Sequence, residues 1–252
     1  MKILITNDDG IFSKGIEELA KVASEFGKVT IVAPDIERSA AGHAITISTL
    51  LRVTEVEKDG KFFGHAISGT PADCVKIACS QILDSKPDLI LSGINNGSNT
   101  AQSVIYSGTV SAASEGTMNG IKSIATSIDS WKPKTYELAK NFLRKLIPEV
   151  LENGLPQGTL LNVNVPNVLQ KDCDGIVVAK QGKARYVEYF EKRSDPTGRT
   201  YYWLGGKKMN LDTEPDVDDV AVMNNKIAIT PIQYELTNNK FLADLEKWQL
   251  SY

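Results

Sequence analysis

Two adjacent carboxylates, Asp8 and Asp9, stand directly after an apolar run near the start of the chain, in the stretch TNDDG. Neighbouring like charges repel each other, and a surface turn rarely needs both. A divalent cation would offset this repulsion, because a nearby positive charge favours the ionised form of each carboxylate. Asn-Asp-Gly is also common in turns, and either aspartate could instead cap the following helix. The pair therefore predicts a metal site, with a plain turn as the alternative.

Two later loops supply further oxygen-bearing side chains. Ser39 lies in PDIERSAAG, whereas Asn95 and Asn96 lie in GINNGSN, and each stretch follows a predicted buried strand. Ligands of open α/β sheets bind beyond the carboxyl ends of the strands, so these loops are expected to converge on TNDDG. Hard divalent cations prefer such oxygen ligands. We therefore predict a catalytic metal site in which Asp8 and Asp9 take part directly.

The stretch YSGTVSAA adds a second component to the predicted site. Ser107, Gly108 and Thr109 lead into a predicted helix, and the free N–H groups at the start of a helix can hold a phosphate. A plain Ser/Thr N-cap is the alternative. The position of this stretch, after the GINNGSN loop, favours the phosphate. Because the predicted metal ligands lie on other loops, substitutions at Gly108 and Thr109 are expected to leave metal affinity unchanged.

The histidines, His43 and His65, limit the possible mechanisms. The HExxH pattern of metalloproteases is absent, and a Ser-His-Asp triad is poorly supported. His43 lies just past the second loop and could donate a hydrogen bond to a phosphate or to a leaving group. A surface or hydrogen-bonding role is the alternative for His43, and we expect a structural role for His65.

A cation beside a phosphate site favours phosphoryl chemistry. The sequence contains no Walker A loop, which argues against an ATPase. No GxGxxG follows the first strand, which argues against a dinucleotide enzyme. The simplest interpretation is hydrolysis of a bound phosphomonoester by metal-activated water.

Another phosphoryl-transfer enzyme or a receiver-like signalling module could also use an aspartate pair to bind a cation. A receiver needs a phosphoacceptor aspartate after the third parallel strand, where this chain has SGINNGSN. A haloacid-dehalogenase-type phosphatase needs DxD, because that spacing puts both carboxylates on the same side of an extended chain. Asp8 and Asp9 are adjacent, so they can converge only if the strand has ended in a turn, as Gly10 indicates.

Composition sets the broad class of the protein. The 252 residues are 42% hydrophobic and 23% charged, which is typical of a globular protein with a sizeable core. The net charge of -3 offers no general basic surface, so we expect no stable nucleic-acid partner. No apolar run approaches the ~20 residues of a membrane span, and no cleavable signal is visible. The sparse cysteines fit a reducing compartment, so we predict a cytoplasmic protein that does not enter a membrane.

Alternating strand and helix patterns predict an open, doubly wound, mostly parallel α/β sheet over the first half of the chain. A hairpin over 51–67 and a helix from Thr70 to Leu83 accompany it. The second half is expected to hold a helix over 135–152, a further strand and a long aromatic hairpin over 175–205. A hairpin of this length cannot bury both faces on itself, so we expect it to pack on another subunit.

Five stretches of the chain, taken in order, are ILITNDDGI, PDIERSAAGHAITI, SGTPADCV, LSGINNGSN and YSGTVSAASEG. Together they resemble the motifs of the SurE (survival protein E) family of metal-dependent 5′/3′-nucleotidases. AITPIQYELT looks like the closing strand of that family. The resemblance spans nearly the whole chain, and the hairpin region is its least diagnostic part. It implies hydrolysis of nucleoside monophosphates, 5′- and 3′-nucleotides, to nucleoside and phosphate.

The resemblance also implies the fold and the assembly. Residues 1–130 would form a Rossmann-like core that carries the metal and phosphate site. Residues 131–252 would supply a helix, completing strands, the aromatic hairpin and a C-terminal oligomerisation arm of the same domain. The arm would be exchanged between subunits of a homodimer or homotetramer.

The family's functional positions match residues of this chain. The resemblance implies one divalent cation per subunit, Mg, Mn or Ca, bound by Asp8, Asp9, Ser39 and Asn95. The implied phosphate contacts are Asn96, Ser107, Gly108 and Thr109. Ala40 and Ser111 stand where the family usually or often has glycine. Both changes replace small with small, so they are expected to affect loop flexibility more than activity.

Overall fold

Alternating strands and helices build most of the molecule, as predicted. The structure is a computed structural model that describes residues 1–250. Its strands are β1 (Lys2–Thr6), β2 (Lys28–Pro34), β3 (Val53–Lys58), β4 (Lys61–Ile67), β5 (Leu89–Asn96), β6 (Lys122–Ile128), β7 (Thr159–Val165), β8 (Ile176–Val178), β9 (Arg185–Ser194), β10 (Thr200–Met209) and β11 (Ile227–Gln233). Its helices are α1 (Lys14–Ala23), α2 (Pro71–Ile77), α3 (Ser103–Tyr106), α4 (Gly108–Met118), α5 (Glu137–Asn153), α6 (Asp218–Met223) and α7 (Asn239–Leu245).

Most of the strands form one nine-stranded sheet, in the order β3-β4-β2-β1-β5-β6-β7-β11-β8. All neighbouring pairs from β4 to β7 are parallel, whereas β3 and β11 run antiparallel to β4 and β7. The chain leaves β1 toward β2 on one side and returns to the other side as β5. The ligand crevice of a doubly wound sheet lies at such a switch point, beyond the carboxyl ends of the strands. The predicted Rossmann-like, doubly wound, mostly parallel fold is confirmed.

The central strands bury both of their faces. In β1, Ile3 and Ile5 belong to one buried cluster and Leu4 belongs to another. The first cluster includes side chains of α1 and α5, and the second includes side chains of α2 and α4. Because successive side chains of a strand point to opposite faces, the sheet carries helices on both sides.

The predicted helix from Thr70 to Leu83 is present in two parts. Thr70 caps α2, and its hydroxyl accepts the N–H of Asp73, whose side chain in turn accepts the N–H of Thr70. After α2 the chain continues in a wider π-helical turn over Ala78–Ile82 and leaves the helix at Leu83. This reciprocal cap is local, which explains why the start of the helix could be predicted.

The aromatic hairpin is present, but its first arm begins later than predicted. Its arms are β9 and β10, and Asp195 closes the predicted turn between them. The Oδ1 atom of Asp195 accepts the N–H groups of Thr197 and Arg199 at 2.8 and 2.9 Å. Residues 176–178 form β8 instead, because they pair in parallel with β11 at the edge of the large sheet.

The hairpin leaves its aromatic side chains accessible in the single chain. The following are between 39% and 66% exposed: Tyr186, Tyr189, Phe190, Tyr201, Tyr202 and Trp203. Their packing on another subunit stays a prediction, and so does the division of the chain into 1–130 and 131–252. Strands β7 and β11, from the second of these ranges, complete the sheet that the first range begins. Across residues 1–250, no helix combines the length and the apolar character needed to cross a membrane.

Candidate active site

The TNDDG loop turns sharply after β1. Asn7 holds the turn, because its Nδ2 donates to the carbonyl of Gly10 at 3.0 Å and to Ser13 Oγ at 2.7 Å. Gly10 has a φ of +90°, a left-handed value that glycine adopts at little cost. The strand has therefore ended before the aspartate pair. Asp8 and Asp9 are no longer held on opposite sides of an extended chain.

Asp8 and Asp9 are enclosed with few hydrogen-bond donors. Asp8 is 5% exposed, its Oδ1 accepts the hydroxyl of Thr109, and burial raises the pKa of this carboxyl. The Oδ2 atom of Asp9 accepts the N–H of Asn96 at 3.3 Å. Burial, followed by the charge of Asp8, raises the pKa of Asp9 to about 7. A bound cation would relieve this arrangement, because it favours the ionised form of both carboxylates.

The loop after β2 lies against the aspartate pair. The N–H of Arg38 donates to the carbonyl of Asp8 at 2.8 Å, which ties this loop to TNDDG. The next residue, Ser39, is exposed and lines the same cleft as Asp8. Its hydroxyl donates to Glu37 Oε1 at 2.5 Å, so its oxygen keeps lone pairs that can act as a ligand.

The two positions that depart from the family's glycines behave differently. Ala40 has a φ of +56°, a left-handed conformation that costs an L-residue roughly 1–2 kcal/mol. Ser111 is buried in α4 and donates its hydroxyl to the carbonyl of Ser107 at 2.6 Å. Ala40 is therefore strained, whereas Ser111 adds a hydrogen bond in the first turn of α4.

Asn95 and Asn96 end β5 at the cleft, and hydrogen bonds orient both side chains. Asn95 Nδ2 donates to the carbonyl of Gly97 at 2.7 Å, which leaves Asn95 Oδ1 available as a ligand oxygen. Asn96 Oδ1 accepts the hydroxyl of Tyr136 at 2.9 Å. The Nδ2 group of Asn96 is therefore the part of that side chain that can donate to a phosphate oxygen.

A buried asparagine network that the sequence patterns did not predict holds the rest of this loop. The N–H of Asn99 donates to Asn164 Oδ1 at 2.7 Å, and its carbonyl accepts Asn162 Nδ2 at 2.8 Å. Asn99 Nδ2 donates to Ser127 Oγ at 2.8 Å. A signal was available, since Asn162 and Asn164 alternate with apolar residues and therefore share one face of β7.

The start of α4 touches the aspartate pair directly. Ser107 caps the helix and accepts the N–H of Val110 at 3.0 Å, so the N-cap alternative is correct for its hydroxyl. Thr109 is fully buried and donates its hydroxyl to Asp8. At Gly108, a β-carbon would lie 2.8 Å from Asp8 Cβ and 3.0 Å from Asp8 Oδ2. The predicted ligands do lie on other loops, but this stretch contacts Asp8, so the two parts form one packed unit. The expected independence of metal affinity stays a prediction.

His43 is hydrogen-bonded to α4. Its Nε2 lies 3.1 Å from Glu115 Oε2, and Lys76 Nζ lies 2.9 Å from Glu115 Oε1. The hydrogen bond from His43 and the pairing with Lys76 outweigh burial, so the pKa of Glu115 is lowered to about 2. This contact agrees with the hydrogen-bonding alternative for His43. A contact between His43 and a phosphate stays a prediction.

A cleft of about 920 Å³ opens at the carboxyl ends of the parallel strands. Among the predicted site residues, those that line it are Asp8, Ser39, Asn95, Asn96 and Ser107. Asp9 is reached through the N–H of Asn96, while Gly108 and Thr109 support Asp8. The structure therefore brings the predicted metal ligands and the start of α4 to one place.

Three further segments line the cleft without having been predicted, and one of them is the start of α3, with Gln102 and Ser103. The loop after β6 contributes Asp129, Ser130 and Trp131, and the hairpin contributes Tyr186, Glu188, Leu204 and Lys208. The loop after β6 could have been found by the rule applied to the other loops, because it also follows the carboxyl end of a parallel strand. The hairpin residues carried no such signal, because their place depends on how the hairpin folds back.

The donor set fits a hard divalent cation. Within residues 1–250, no three or more His, Cys, Asp and Glu side chains group in a way that could hold a metal ion. The predicted ligands, two carboxylates, a hydroxyl and an amide oxygen, would instead offer only oxygen atoms, which suits Mg²⁺, Mn²⁺ or Ca²⁺. The bond from Asn95 Nδ2 to Gly97 supports this fit, because it leaves only the oxygen of that amide free.

Comparison with known proteins gives one consistent result. The family described as Survival protein SurE matches residues 3–188. The protein named 5′-nucleotidase SurE from Syntrophobacter fumaroxidans is 46% identical over 250 residues, which cover 99% of this chain and 100% of that protein. The protein of the same name from Chlorobium chlorochromatii is 48% identical over 248 residues, covering 98% of this chain and 91% of that protein.

A solved structure agrees with these sequence matches. The crystal structure of the SurE protein from Aquifex aeolicus superimposes with a TM-score of 0.84 at 38% sequence identity. The match covers 98% of both chains, so it includes the large sheet, the hairpin and the segment after β11.

Proposed function

This chain belongs to the SurE family, and from that premise we propose that it is a 5′-nucleotidase, a phosphomonoesterase that converts nucleoside monophosphates to nucleoside and phosphate. Relatives that match it almost from end to end carry that name. The observation that carries the proposal is the enclosed pair Asp8 and Asp9, packed against the start of α4. This arrangement supports binding of a cation and a phosphate monoester side by side.

We further propose one divalent cation per subunit, Mg²⁺, Mn²⁺ or Ca²⁺. Its proposed ligands are oxygen atoms of Asp8, Asp9, Ser39 and Asn95. When bound, the cation would supply a Lewis acid that stabilises charge on the phosphoryl oxygens. Thr109 orients Asp8 through its hydroxyl, and the carbonyl of Gly97 orients the amide of Asn95.

The start of α4 is the proposed site for the phosphate group. The first N–H groups of a helix have no partner within the helix, so those at Ser107, Gly108 and Thr109 can donate to phosphate oxygens. Asn96 Nδ2 is a further donor. In the reaction, a water oxygen bonds to phosphorus, the bond from phosphorus to the sugar oxygen breaks, and a proton goes to that sugar oxygen. The donors stabilise the charge on the phosphoryl oxygens during this exchange.

The finer parts of the proposal follow from the resemblance. We propose that both 5′- and 3′-nucleotides are substrates, and that the subunits form homodimers or homotetramers through the hairpin and the C-terminal segment. We also propose a cytoplasmic location. The receiver-like alternative has no support from the site, because Asn95 and Asn96 stand where a phosphoacceptor aspartate would be needed.

Removal of divalent metal tests the proposed function. We expect phosphate release from AMP to stop in chelator-treated protein, and to return when Mg²⁺, Mn²⁺ or Ca²⁺ is added. Calorimetric titration should then give a single site per chain. Full hydrolysis in the metal-free protein would overturn the metal assignment. Failure to hydrolyse any nucleoside monophosphate with any of these metals would overturn the function itself.

A further inference from the structure

Trp131 is an accessible aromatic side chain that the proposed chemistry leaves unused. It lies on the loop after β6, it is 75% exposed, and it lines the same cleft as Asp8 and Asn96. Small-molecule clefts usually combine a few polar groups with an aromatic wall, which holds the apolar part of the ligand. Among the cleft residues, Asp8, Ser39, Asn95, Asn96 and Ser107 are already assigned to the cation and the phosphate, whereas Trp131 is available for another part of the substrate.

The indole ring lies directly against the loop that carries the proposed ligands. A β-carbon at Gly97 would lie 3.5 Å from Cη2 and Cζ3 of Trp131 and 3.6 Å from Cζ2. Gly97 directly follows Asn96, whose N–H bonds Asp9. The six-membered ring of the indole is therefore close to the metal and phosphate end of the cleft, with the backbone of Gly97 behind it.

Hydrogen bonds fix the two loops to each other. Ser98 Oγ donates to Asp129 Oδ1 at 2.6 Å, and the N–H of Gly97 donates to the carbonyl of Ile128 at 2.9 Å. The N–H of Asp129 donates to the carbonyl of Val165 in β7 at 2.9 Å. The loop that carries the tryptophan is thus anchored close to its β-strand. An aromatic side chain on an anchored loop loses less conformational entropy when a ligand stacks on it than one on a mobile loop.

We propose that Trp131 is the platform on which the nucleobase of the substrate stacks. The inference rests on the proposed nucleotidase function, because the base of a nucleotide lies one ribose away from a phosphate held at α4. Stacking uses the π-face that every base has, so it would accept all bases and favour the larger purines. Trp131 thus determines how strongly the base contributes to binding, while the start of α4 and the cation hold the phosphate.

Kinetics with and without a base test the proposal. Steady-state constants are measured with AMP, UMP and ribose 5-phosphate, which has no base, for the wild type, Trp131→Ala and Trp131→Phe. We expect Trp131→Ala to raise KM for AMP about ten-fold, UMP to be affected less, and Trp131→Phe to fall between. The kcat values and the constants for ribose 5-phosphate should stay near those of the wild type. Phe62→Ala, at an exposed aromatic side chain of β4 outside the cleft lining, is the matched control.

Two kinetic outcomes would overturn the proposal. The first is an unchanged KM for AMP in Trp131→Ala. The second is an equal rise for ribose 5-phosphate, which would show damage to the phosphate end instead of loss of a base contact. A base-dependent loss in Tyr186→Ala with none in Trp131→Ala would assign the base to the hairpin instead, and would also overturn it.

Fluorescence separates this inference from the proposed function. AMP is titrated into chelator-treated wild type and Trp131→Phe, so that no turnover occurs. Quenching of tryptophan emission that saturates in the wild type and disappears in Trp131→Phe supports stacking, even if the wild type hydrolyses no nucleotide. Quenching that persists unchanged in Trp131→Phe, or is absent from the wild type, overturns it. If the wild type hydrolyses AMP but shows neither the change in KM nor the quenching that depends on Trp131, the proposed nucleotidase function stands and only the role of Trp131 is refuted.

Discussion

The chain contains two adjacent aspartate pairs, Asp8–Asp9 and Asp218–Asp219, and their surroundings differ in the supply of hydrogen-bond donors. Asp218 Oδ1 accepts the N–H groups of Gly182 and Asp219 at 2.9 and 2.7 Å, and its Oδ2 accepts the N–H of Ala101 at 2.9 Å. The Oδ1 atom of Asp219 accepts the hydroxyl of Thr100 at 2.7 Å and pairs with the ammonium of Lys208.

The first pair, Asp8 and Asp9, accepts fewer and weaker hydrogen bonds. Asp8 accepts the hydroxyl of Thr109, with smaller contributions from the N–H groups of Thr109 and of Asp8 itself, and Asp9 accepts one distant N–H, from Asn96 at 3.3 Å. A buried carboxylate is stable when donors satisfy its oxygens, and a cation can replace missing donors. Two adjacent aspartates therefore form a structural joint at α6 and a proposed ligand pair after β1. The difference lies in the donors that the fold brings to each pair.

The largest expected effect comes from Asp8→Asn, which removes an anionic ligand while nearly keeping its shape. We expect kcat/KM for AMP to fall on the order of a thousand-fold at saturating metal. Because burial raises the pKa of Asp8, its charge lowers the stability of the metal-free protein above the unfolded pKa. The free energy of unfolding of metal-free Asp8→Asn should therefore be unchanged or higher.

Asp59→Asn is the matched control for Asp8→Asn. Asp59 is exposed in the β3–β4 turn with a φ of +53°, which asparagine adopts readily. It should keep full activity and stability. Wild-type kinetics in Asp8→Asn would show that Asp8 is not a ligand, and would remove the contrast between the two pairs.

Gly108→Ala should have the next largest effect. The added β-carbon would lie 2.8 Å from Asp8 Cβ, so either the carboxylate or the start of α4 must move. Small displacements of reacting groups can cost about a hundred-fold in rate, and we expect that loss in kcat/KM together with weaker metal binding. Ser114→Ala, later in the same helix, is the control. Normal metal affinity in Gly108→Ala would restore the separation between metal and phosphate sites that the sequence suggested.

Glu115 is a third buried carboxylate, and at this one the donors outweigh the cost of burial. Its pKa is lowered from 4.5 to about 2, first by the hydrogen bond from His43 and then by Lys76. A lowered folded pKa contributes stability that is complete above the unfolded value and lost as the pH falls through the folded one. We expect ~3 kcal/mol to be lost across this window in the wild type. Chemical denaturation at a series of pH values should show a shallower acid slope in Glu115→Gln. Identical slopes would refute this role.

Asp218→Asn tests the structural pair. The NH₂ group of the new asparagine would replace one carboxylate oxygen and would face an N–H group that this oxygen now accepts. That buried N–H group would lose its acceptor. Burial also raises the pKa of Asp218, so removing its charge offsets part of this loss. We therefore expect the free energy of unfolding to fall by about 1 kcal/mol, measured by denaturant titration. Metal affinity in the folded variant should stay close to that of the wild type. Loss of metal binding without loss of stability would mean that the second pair belongs to the active site.

Much of the fold could be predicted because its signals are local. The cap at Thr70, the turn at Asp195 and the left-handed glycine in TNDDG each depend on neighbours within a few residues. The convergence of the loops after β1, β2 and β5 followed from the rule for parallel strands. The same rule, applied to the loop after β6, would also have located Trp131.

The remaining features depend on residues distant in sequence. Nothing near Asp218 indicates that Ala101 and Gly182 will donate to it, and nothing near His43 indicates Glu115. The true start of the hairpin depended in the same way on pairing between β8 and β11. Contacts of this kind are set by the assembled sheet, so residue type alone could not separate a structural carboxylate from a ligand.

The smallest expected effect comes from two variants of Thr109, which distinguish the contribution of its hydroxyl group from that of its packing. Thr109→Val keeps the branched shape of a fully buried side chain but cannot donate to Asp8 Oδ1, whereas Thr109→Ser keeps the hydroxyl and loses a methyl group. Removing a group that orients a metal ligand typically costs about ten-fold or more, so we expect Thr109→Val to lose about ten-fold in kcat/KM and in metal affinity. Thr109→Ser should keep most activity but lose some stability to the cavity left by the methyl group. Kinetics and calorimetric metal titration on both variants measure these effects separately.

If Thr109→Ser loses as much activity as Thr109→Val, packing alone positions Asp8. The hydroxyl donor to Asp8 would then contribute nothing to the contrast with Asp218.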